Sequence, residues 1–411
     1  MVITRVKLII TGVLVFIAAG GVLTWFQYRK ITNYISEQVS GQAAKKLGRQ
    51  IKFSKVSFSF LEGVTVEDAC VSRRPDFSKG NFFCAARVLI RPKATALLKN
   101  KVYFSKVVLE RPVLKVREEN GAWDFADLMA LIPETDKGLY LTWNASELVM
   151  KDAVLEADLK TSGVSLSLEN ASLTLKHYSA FGGNYGLETA GLVRYFKSAE
   201  KGKLLSAEVS IDAEANFDYG GLASTKGKFT AADATYGAIA LEKLAADWSL
   251  FNLRKTLAEK NYSINLTAEK LLVPGLENSV KDSVSKGLAM FAAAMGKPEP
   301  KIDDIEMSSL KVSFKLDDSV LSIGDIALRT NFMNLDSGIS INGPAGTADA
   351  SLEAEIGANK LKMSASGPMT NPEIKPLLAS TLAAKFKQSL AEIEAALLQL
   401  FPVTLKGETN V

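Results

Sequence analysis

Histidine is nearly absent from these 411 residues: His177 is the only one, and Cys70 and Cys84 are the only cysteines. Metal centres built on imidazoles need more histidines than the chain holds, and a Cys/His nucleophile pair would strain an inventory of one histidine, so both enzyme classes lose support. His177 sits in Leu175-Lys176-His177-Tyr178 at a predicted strand end, where a surface or turn role suffices. Charge of one sign is scarce too. The 49 Lys and Arg face 45 Asp and Glu, and the basic residues stand singly between apolar ones, so the basic stripe that nucleic acid requires is missing. Gly182-Gly183-Asn184-Tyr185-Gly186 lacks both the strand-to-helix context and the Lys-Ser/Thr of a phosphate loop, and reads as a turn. Asp303-Asp304 and Asp317-Asp318 fall in predicted loops, where aspartate serves turns. The expectation is a non-enzymatic protein without cofactor or metal.

What is present is apolar. From Leu8 to Tyr28 run 21 residues without a charge, enough at ~1.5 Å per residue to cross a ~30 Å hydrocarbon core as a helix. The alternative is a cleaved signal peptide, with Arg5 and Lys7 as its basic start and Ala18, Ala19, Gly20 and Gly21 as small residues near a cleavage point. The run continues through Val22, Leu23, Trp25 and Phe26, which favours a retained anchor. Leu8 opens it, and Trp25 and Tyr28 suit the interfacial aromatic belt ahead of Arg29 and Lys30. The short N-terminal tail favours a cytoplasmic N-terminus. Residues 1–30 are therefore read as anchor and flank, and 31–135 as a first β domain carrying a juxtamembrane helix up to Leu47. Residues 136–371 continue the β structure, and 372–411 form a C-terminal amphipathic helix and tail.

After Gly48 the period changes to two. Leu205 to Phe217 is thirteen residues of unbroken alternation between apolar and polar side chains. Shorter stretches repeat it at Val56-Phe58-Phe60, Val164-Leu166-Leu168, Ile264-Leu266, Val312-Phe314 and Leu352-Ala354-Ile356. One apolar and one wet face per strand is the pattern of antiparallel sheets, whereas buried parallel strands read as continuous apolar runs. About twenty such runs with short connectors and no βαβ rhythm predict a mainly β chain, an antiparallel meander too long to stay flat. Asn120-Gly121 predicts a two-residue hairpin, and Ser54-Lys55 a bulge. Cys70 and Cys84 flank a turn-like stretch centred on Phe77, so they either face each other in a cross-strand disulfide or remain two buried thiols. Helical spacing returns twice. Leu276, Val280, Val284, Leu288 and Phe291 define a helix over 274–295, and Ile374 to Phe401 a second one from Pro372. Each is expected to cap the sheet, with contact to a membrane or a partner as the alternative.

Several ordered motifs resemble one family. They are Leu47-Gly48-Arg49-Gln50-Ile51, Leu61-Glu62-Gly63-Val64-Thr65-Val66-Glu67-Asp68 and Phe83-Cys84-Ala85-Ala86-Arg87-Val88. They continue with Ala96-Leu97-Leu98-Lys99-Asn100-Lys101-Val102, Val108-Leu109-Glu110-Arg111-Pro112-Val113-Leu114 and Asn120-Gly121-Ala122-Trp123-Asp124-Phe125. In this order, behind a single N-terminal membrane helix, they are similar to the N-terminal region of the AsmA family of bacterial envelope proteins. Ser366-Gly367-Pro368-Met369-Thr370-Asn371-Pro372 is similar to that family's closing motif. Between 140 and 340 the match is one of strand character. The resemblance implies a long curved antiparallel sheet forming a half-open groove, tethered to the inner membrane with its bulk in the periplasm. It further implies phospholipid acyl chains as cargo in outer-membrane biogenesis, with outer-membrane or envelope proteins as further partners. The groove would then be lined by Val56, Phe58, Phe60, Val164, Leu166, Leu168, Val209, Ile211, Phe217, Ile264, Leu266, Val312, Phe314, Leu352 and Ile356. The competing reading is a closed β-sandwich acting as a non-transporting assembly or structural factor of the envelope. A hydrolase ranks third.

Overall fold

Alternation of apolar and polar residues makes strands, and here it makes nearly nothing else. The computed structural model describes residues 48–59, 62–92, 104–126, 146–177, 183–197, 204–218, 221–275, 304–356, 359–369 and 372–375, together with six helical positions between 282 and 292. The expected anchor at Leu8, Trp25 and Tyr28, the helix expected after it, and Phe60 lie outside the described residues, as does the rest of the expected C-terminal helix beyond Lys375. Among the described residues no helix is long and apolar enough to cross a membrane. The chain divides into two compact units, Met1–Lys201 and Gly202–Val411. That division falls inside the stretch 136–371, which the sequence alone presents as one domain.

The first unit contains β1 (Ile51–Lys52), β2 (Lys55–Ser59), β3 (Gly63–Ser72), β4 (Asn81–Pro92), β5 (Phe104–Glu110), β6 (Val113–Glu119), β7 (Ala122–Trp123), β8 (Glu147–Leu159), β9 (Val164–His177) and β10 (Gly183–Lys197). The sheet is mixed, which corrects the purely antiparallel expectation. β5 and β6 both run antiparallel to β4, and both pair in parallel with β8. The reason was present in the residues. Val88-Leu89-Ile90, Val107-Val108-Leu109 and Leu148-Val149-Met150 are continuous apolar triplets, and their central members Leu89, Val108 and Val149 are buried together. The Asn120-Gly121 hairpin forms as expected, with positive φ at both residues and Glu119 opposite Ala122. Cys70 and Cys84 are directly opposed on β3 and β4 and are joined in a disulfide.

A transverse row of small residues crosses this sheet. Asp68, Arg111, Asp152 and Asn170 all have φ between 47° and 52° and are followed by Ala69, Pro112, Ala153 and Ala171. Ala69 pairs with Ala85, and Ala153 with Ala171. The amide of Val154 donates to the Pro112 carbonyl at 2.8 Å, which ties Pro112 into the same line. On β10 the line ends at Gly191, where an added Cβ would lie 2.8 Å from Leu168 Cδ1 and 3.0 Å from the Glu169 carbonyl oxygen. Left-handed backbone inside a strand interrupts the pleat, and Asp and Asn tolerate it best among residues with a side chain. The apolar alternation slips by one residue at this line: Leu148 and Met150 precede it on β8, Leu155 and Ala157 follow it.

The second unit contains β11 (Leu204–Asp218), β12 (Gly221–Tyr236), β13 (Ile239–Phe251), β14 (Asn261–Val273), β15 (Ile305–Asp317), β16 (Val320–Thr330), β17 (Asn334–Asn342), β18 (Thr347–Ile356), β19 (Asn359–Pro368) and β20 (Glu373–Lys375). From β11 to β20 each strand pairs antiparallel with the next, so the meander expectation describes this unit. β20 is a correction: residues 373–375, where the sequence suggests the start of the last helix, add a strand to β19 instead. The predicted helix over 274–295 is helical at Asp282, Ser285, Lys286, Leu288, Ala289 and Ala292. Leu288 and Ala292, one turn apart, are each 1% exposed. Leu288 packs with Val273, Ile305 and Ala354, and Leu271, Leu335 and Leu361 close around them.

Candidate functional site

Cross-strand register turns alternation into a surface. In the second unit Ala213, Gly227, Trp248, Ile264, Phe314, Ile323, Ile339, Ala350 and Ala365 are successive partners across nine strands. A parallel row holds Val209, Ala231, Leu244, Ala268, Leu310, Leu328, Leu335, Ala354 and Leu361. Between them run Ile211, Phe229, Ala246, Leu266 and Val312. Directly opposed residues share a face, and residues two apart on a strand do as well, so the three rows form one apolar face. The opposite face reads Glu214, Lys226, Ser249, Ser263, Lys315, Ser322, Ser340, Asp349 and Ser366 across the same strands. It carries exposed ion pairs such as Lys226–Glu214 at 3.0 Å.

Most of the apolar rows are half-buried rather than buried, and Ile339 is 38% exposed. A packed core would hide these side chains almost completely. The glycine in the first row has a packing reason. A Cβ at Gly227 would lie 2.6 Å from Trp248 Cζ2 and 2.6 Å from the Asp212 carbonyl oxygen, so the indole lies close over bare backbone. Trp248 Nε1 donates to Thr225 Oγ1 at 3.2 Å, which pins the ring.

The first unit builds a comparable row from Phe58, Val64, Ile90, Val107, Leu148, Leu175 and Leu187. Beyond the line of left-handed residues a second row links Leu114, Leu155, Leu168 and Val193, and a third links Val116, Ala157, Leu166 and Tyr195. Leu166 is 43% exposed.

The expected lining residues sort accordingly. Val209, Ile211, Ile264, Leu266, Val312 and Phe314 fall in the three rows of the second unit, with Ile264 opposite Phe314 and Leu266 opposite Val312. Phe217 lies past a register shift, opposite Leu222. Leu352 packs against the cluster around Leu288, and Ile356 pairs with Asn359 at the end of β18. In the first unit Val56 and Phe58 oppose Val66 and Val64. Their rows reach β9 at Leu173 and Leu175, so Val164, Leu166 and Leu168 lie on the far side of the left-handed line. What sequence reasoning missed is that line itself. Its trace is a recurring charged residue, then Asp, Asn or Arg, then Ala or Pro: Glu67-Asp68-Ala69, Glu110-Arg111-Pro112, Lys151-Asp152-Ala153 and Glu169-Asn170-Ala171.

Two of the ordered sequence motifs, around Arg49 and around Asp124, meet in space. Arg49 is 3% exposed, and its guanidinium donates to the carbonyls of Ser72 and Asp124 while lying 4.3 Å from the Phe82 ring centre. The Asp124 carboxylate pairs with Arg73 and accepts from the Arg117 amide at 2.9 Å. Glu118, also buried, accepts from Thr161 Oγ1 at 2.7 Å and from the amides of Gly121 and Thr161. The Thr161 hydroxyl bond above all holds its carboxyl below the ordinary range, against the opposing effect of burial. These are structural knots. Among the described residues no group of three or more His, Cys, Asp and Glu side chains comes together to hold a metal. His177 stacks on Tyr185 with ring centres 4.7 Å apart.

The chain matches no protein-family model, no curated protein and no solved structure.

Proposed function

We propose that this chain is an inner-membrane-anchored periplasmic protein of outer-membrane biogenesis that carries phospholipid acyl chains along the apolar face of its sheet. The observation that carries the reading is the set of three adjacent apolar rows in the second unit, half-buried and backed by a largely polar face. Acyl chains gain ~0.8 kcal/mol per CH₂ on leaving water and form no directional bonds, so such a face holds lipid without fixing its position. Head groups stay in water, and no reaction is needed.

A groove requires curvature, and the helix contacts support it. β14 and β18 are four strands apart, ~19 Å on a flat sheet at ~4.8 Å spacing, yet Val273 and Ala354 share one cluster with Leu288. The Cys70–Cys84 disulfide fits an oxidising compartment such as the periplasm. The uncharged run from Leu8 to Tyr28 is the anchor of this reading, and the AsmA-like motifs agree with it.

The same helix favours a second reading. Leu288 and Ala292 cover part of the face as core residues do, and a face covered along its whole length would be a closed sandwich in an envelope assembly factor. Extraction of the detergent-purified full chain separates the two. Phospholipid should co-purify, and Ile211→Asp should deplete it while leaving the melting temperature in place. Absence of phospholipid, or unfolding of the second unit by that buried charge, supports the sandwich instead.

A further inference from the structure

The turn between β3 and β4 and the end of β6 line a recess of about 420 Å³ in the first unit. Arg73, Arg74, Lys79 and Arg117 line it with Glu119 and Asp124, so four cations and two carboxylates face the recess. Trp123 forms part of the wall. The cations differ in how far the protein itself engages them. Arg73 is committed: it pairs with Asp124, and its other terminal nitrogen donates to the Lys115 carbonyl at 2.8 Å. Arg117 is engaged less tightly: its Nε is buried without a hydrogen-bond acceptor among the described residues, and its ion pair with Asp158 on the neighbouring strand is long, at 3.8 Å. A buried N–H without an acceptor is rare in folded proteins and calls for an explanation. Lys79 forms no ion pair among the described residues, and its charge acts on the Asp76 carboxylate. Burial, then Arg117 and Arg49, push the pKa of Arg73 down, and Asp158 opposes them.

We infer that this recess binds a phosphate-bearing anion, with Arg117 and Lys79 as its direct ligands and Trp123 as the wall for the group esterified to the phosphate. Planar guanidinium and ammonium donors beside one another suit phosphate oxygens, and charge-assisted hydrogen bonds are about twice as strong as neutral ones. Both phospholipid head groups and free phosphate esters present that chemistry.

The test is titration of the full chain in detergent with three probes: inorganic phosphate, short-chain phosphatidylglycerol, and the uncharged diacylglycerol of the same chain length. The double variant Lys79→Gln/Arg117→Gln should weaken phosphate-bearing probes by about tenfold or more, with no change for diacylglycerol. Glu119→Gln, which removes a competing carboxylate and no hydrogen bond, should tighten them severalfold, and this gain decides the matter if the double variant fails to fold. Binding of both phosphate probes identifies a general phosphate site, and binding of phosphatidylglycerol alone identifies a head-group site. Affinities indifferent to both changes, or equal binding of diacylglycerol, overturn the inference. Ile211→Asp, which tests the acyl-chain reading, should leave phosphate binding intact, so the two readings fail separately.

Discussion

The two units solve the same problem, a sheet with one apolar face, by different means. The first is a mixed sheet secured by a disulfide, a contact from the buried Arg49 to Asp124 and a buried Glu118. The second runs antiparallel from β11 to β20 and relies on the ladder, with one helix packed at Leu288. Fixed polar and covalent links favour a rigid sheet. A ladder of half-buried rows favours an open apolar surface.

Substitutions that strike one unit and spare the other sharpen this contrast. Leu288→Ala carries the largest expected effect, because it empties a site only 1% exposed. It should cost about 2–5 kcal/mol, read as faster hydrogen exchange in β14, β15 and β18, with the first unit unchanged. Next comes the disulfide. Replacing Cys70 and Cys84 by serine opens a link spanning 14 residues of sequence, and a loop of that length is worth about 3 kcal/mol. The loss should appear in denaturant unfolding of the first unit and vanish when the parent is compared under reducing conditions.

The smallest effect depends on pH. Glu118 has a depressed folded pKa, so its contribution is fully present above the unfolded value of about 4.3 and disappears as pH falls through the lower folded value. Glu118→Gln should therefore lower the melting temperature of the first unit at neutral pH. The gap to the parent should close in acid, and a gap independent of pH would refute the assignment.

Strand character, the Asn120-Gly121 turn and the facing cysteines could be read from the chain because each depends on neighbours in sequence. Parallel pairing could not be placed, since it joins Val107 to Leu148 across an intervening stretch, although the triplets Val107-Val108-Leu109 and Leu148-Val149-Met150 carried its mark. The candidate face was legible by row in the second unit, where Ile264 and Phe314, named from separate strands, are cross-strand partners. In the first unit the rows of Val56 and Phe58 reach β9 at Leu173 and Leu175, and Val164, Leu166 and Leu168 lie beyond the left-handed line, a division that alternation alone does not show. The strand at residues 373–375 was hidden by the helical spacing of the segment that follows.

The central claim is that the three apolar rows of the second unit are a lipid surface. A photoreactive residue at Ile264, compared with one at the adjacent polar-face position Asn265, tests it most directly. The account predicts phospholipid adducts at 264 and none at 265 when the full chain is irradiated in membranes. Adducts absent at 264, or equal at both positions, would contradict it.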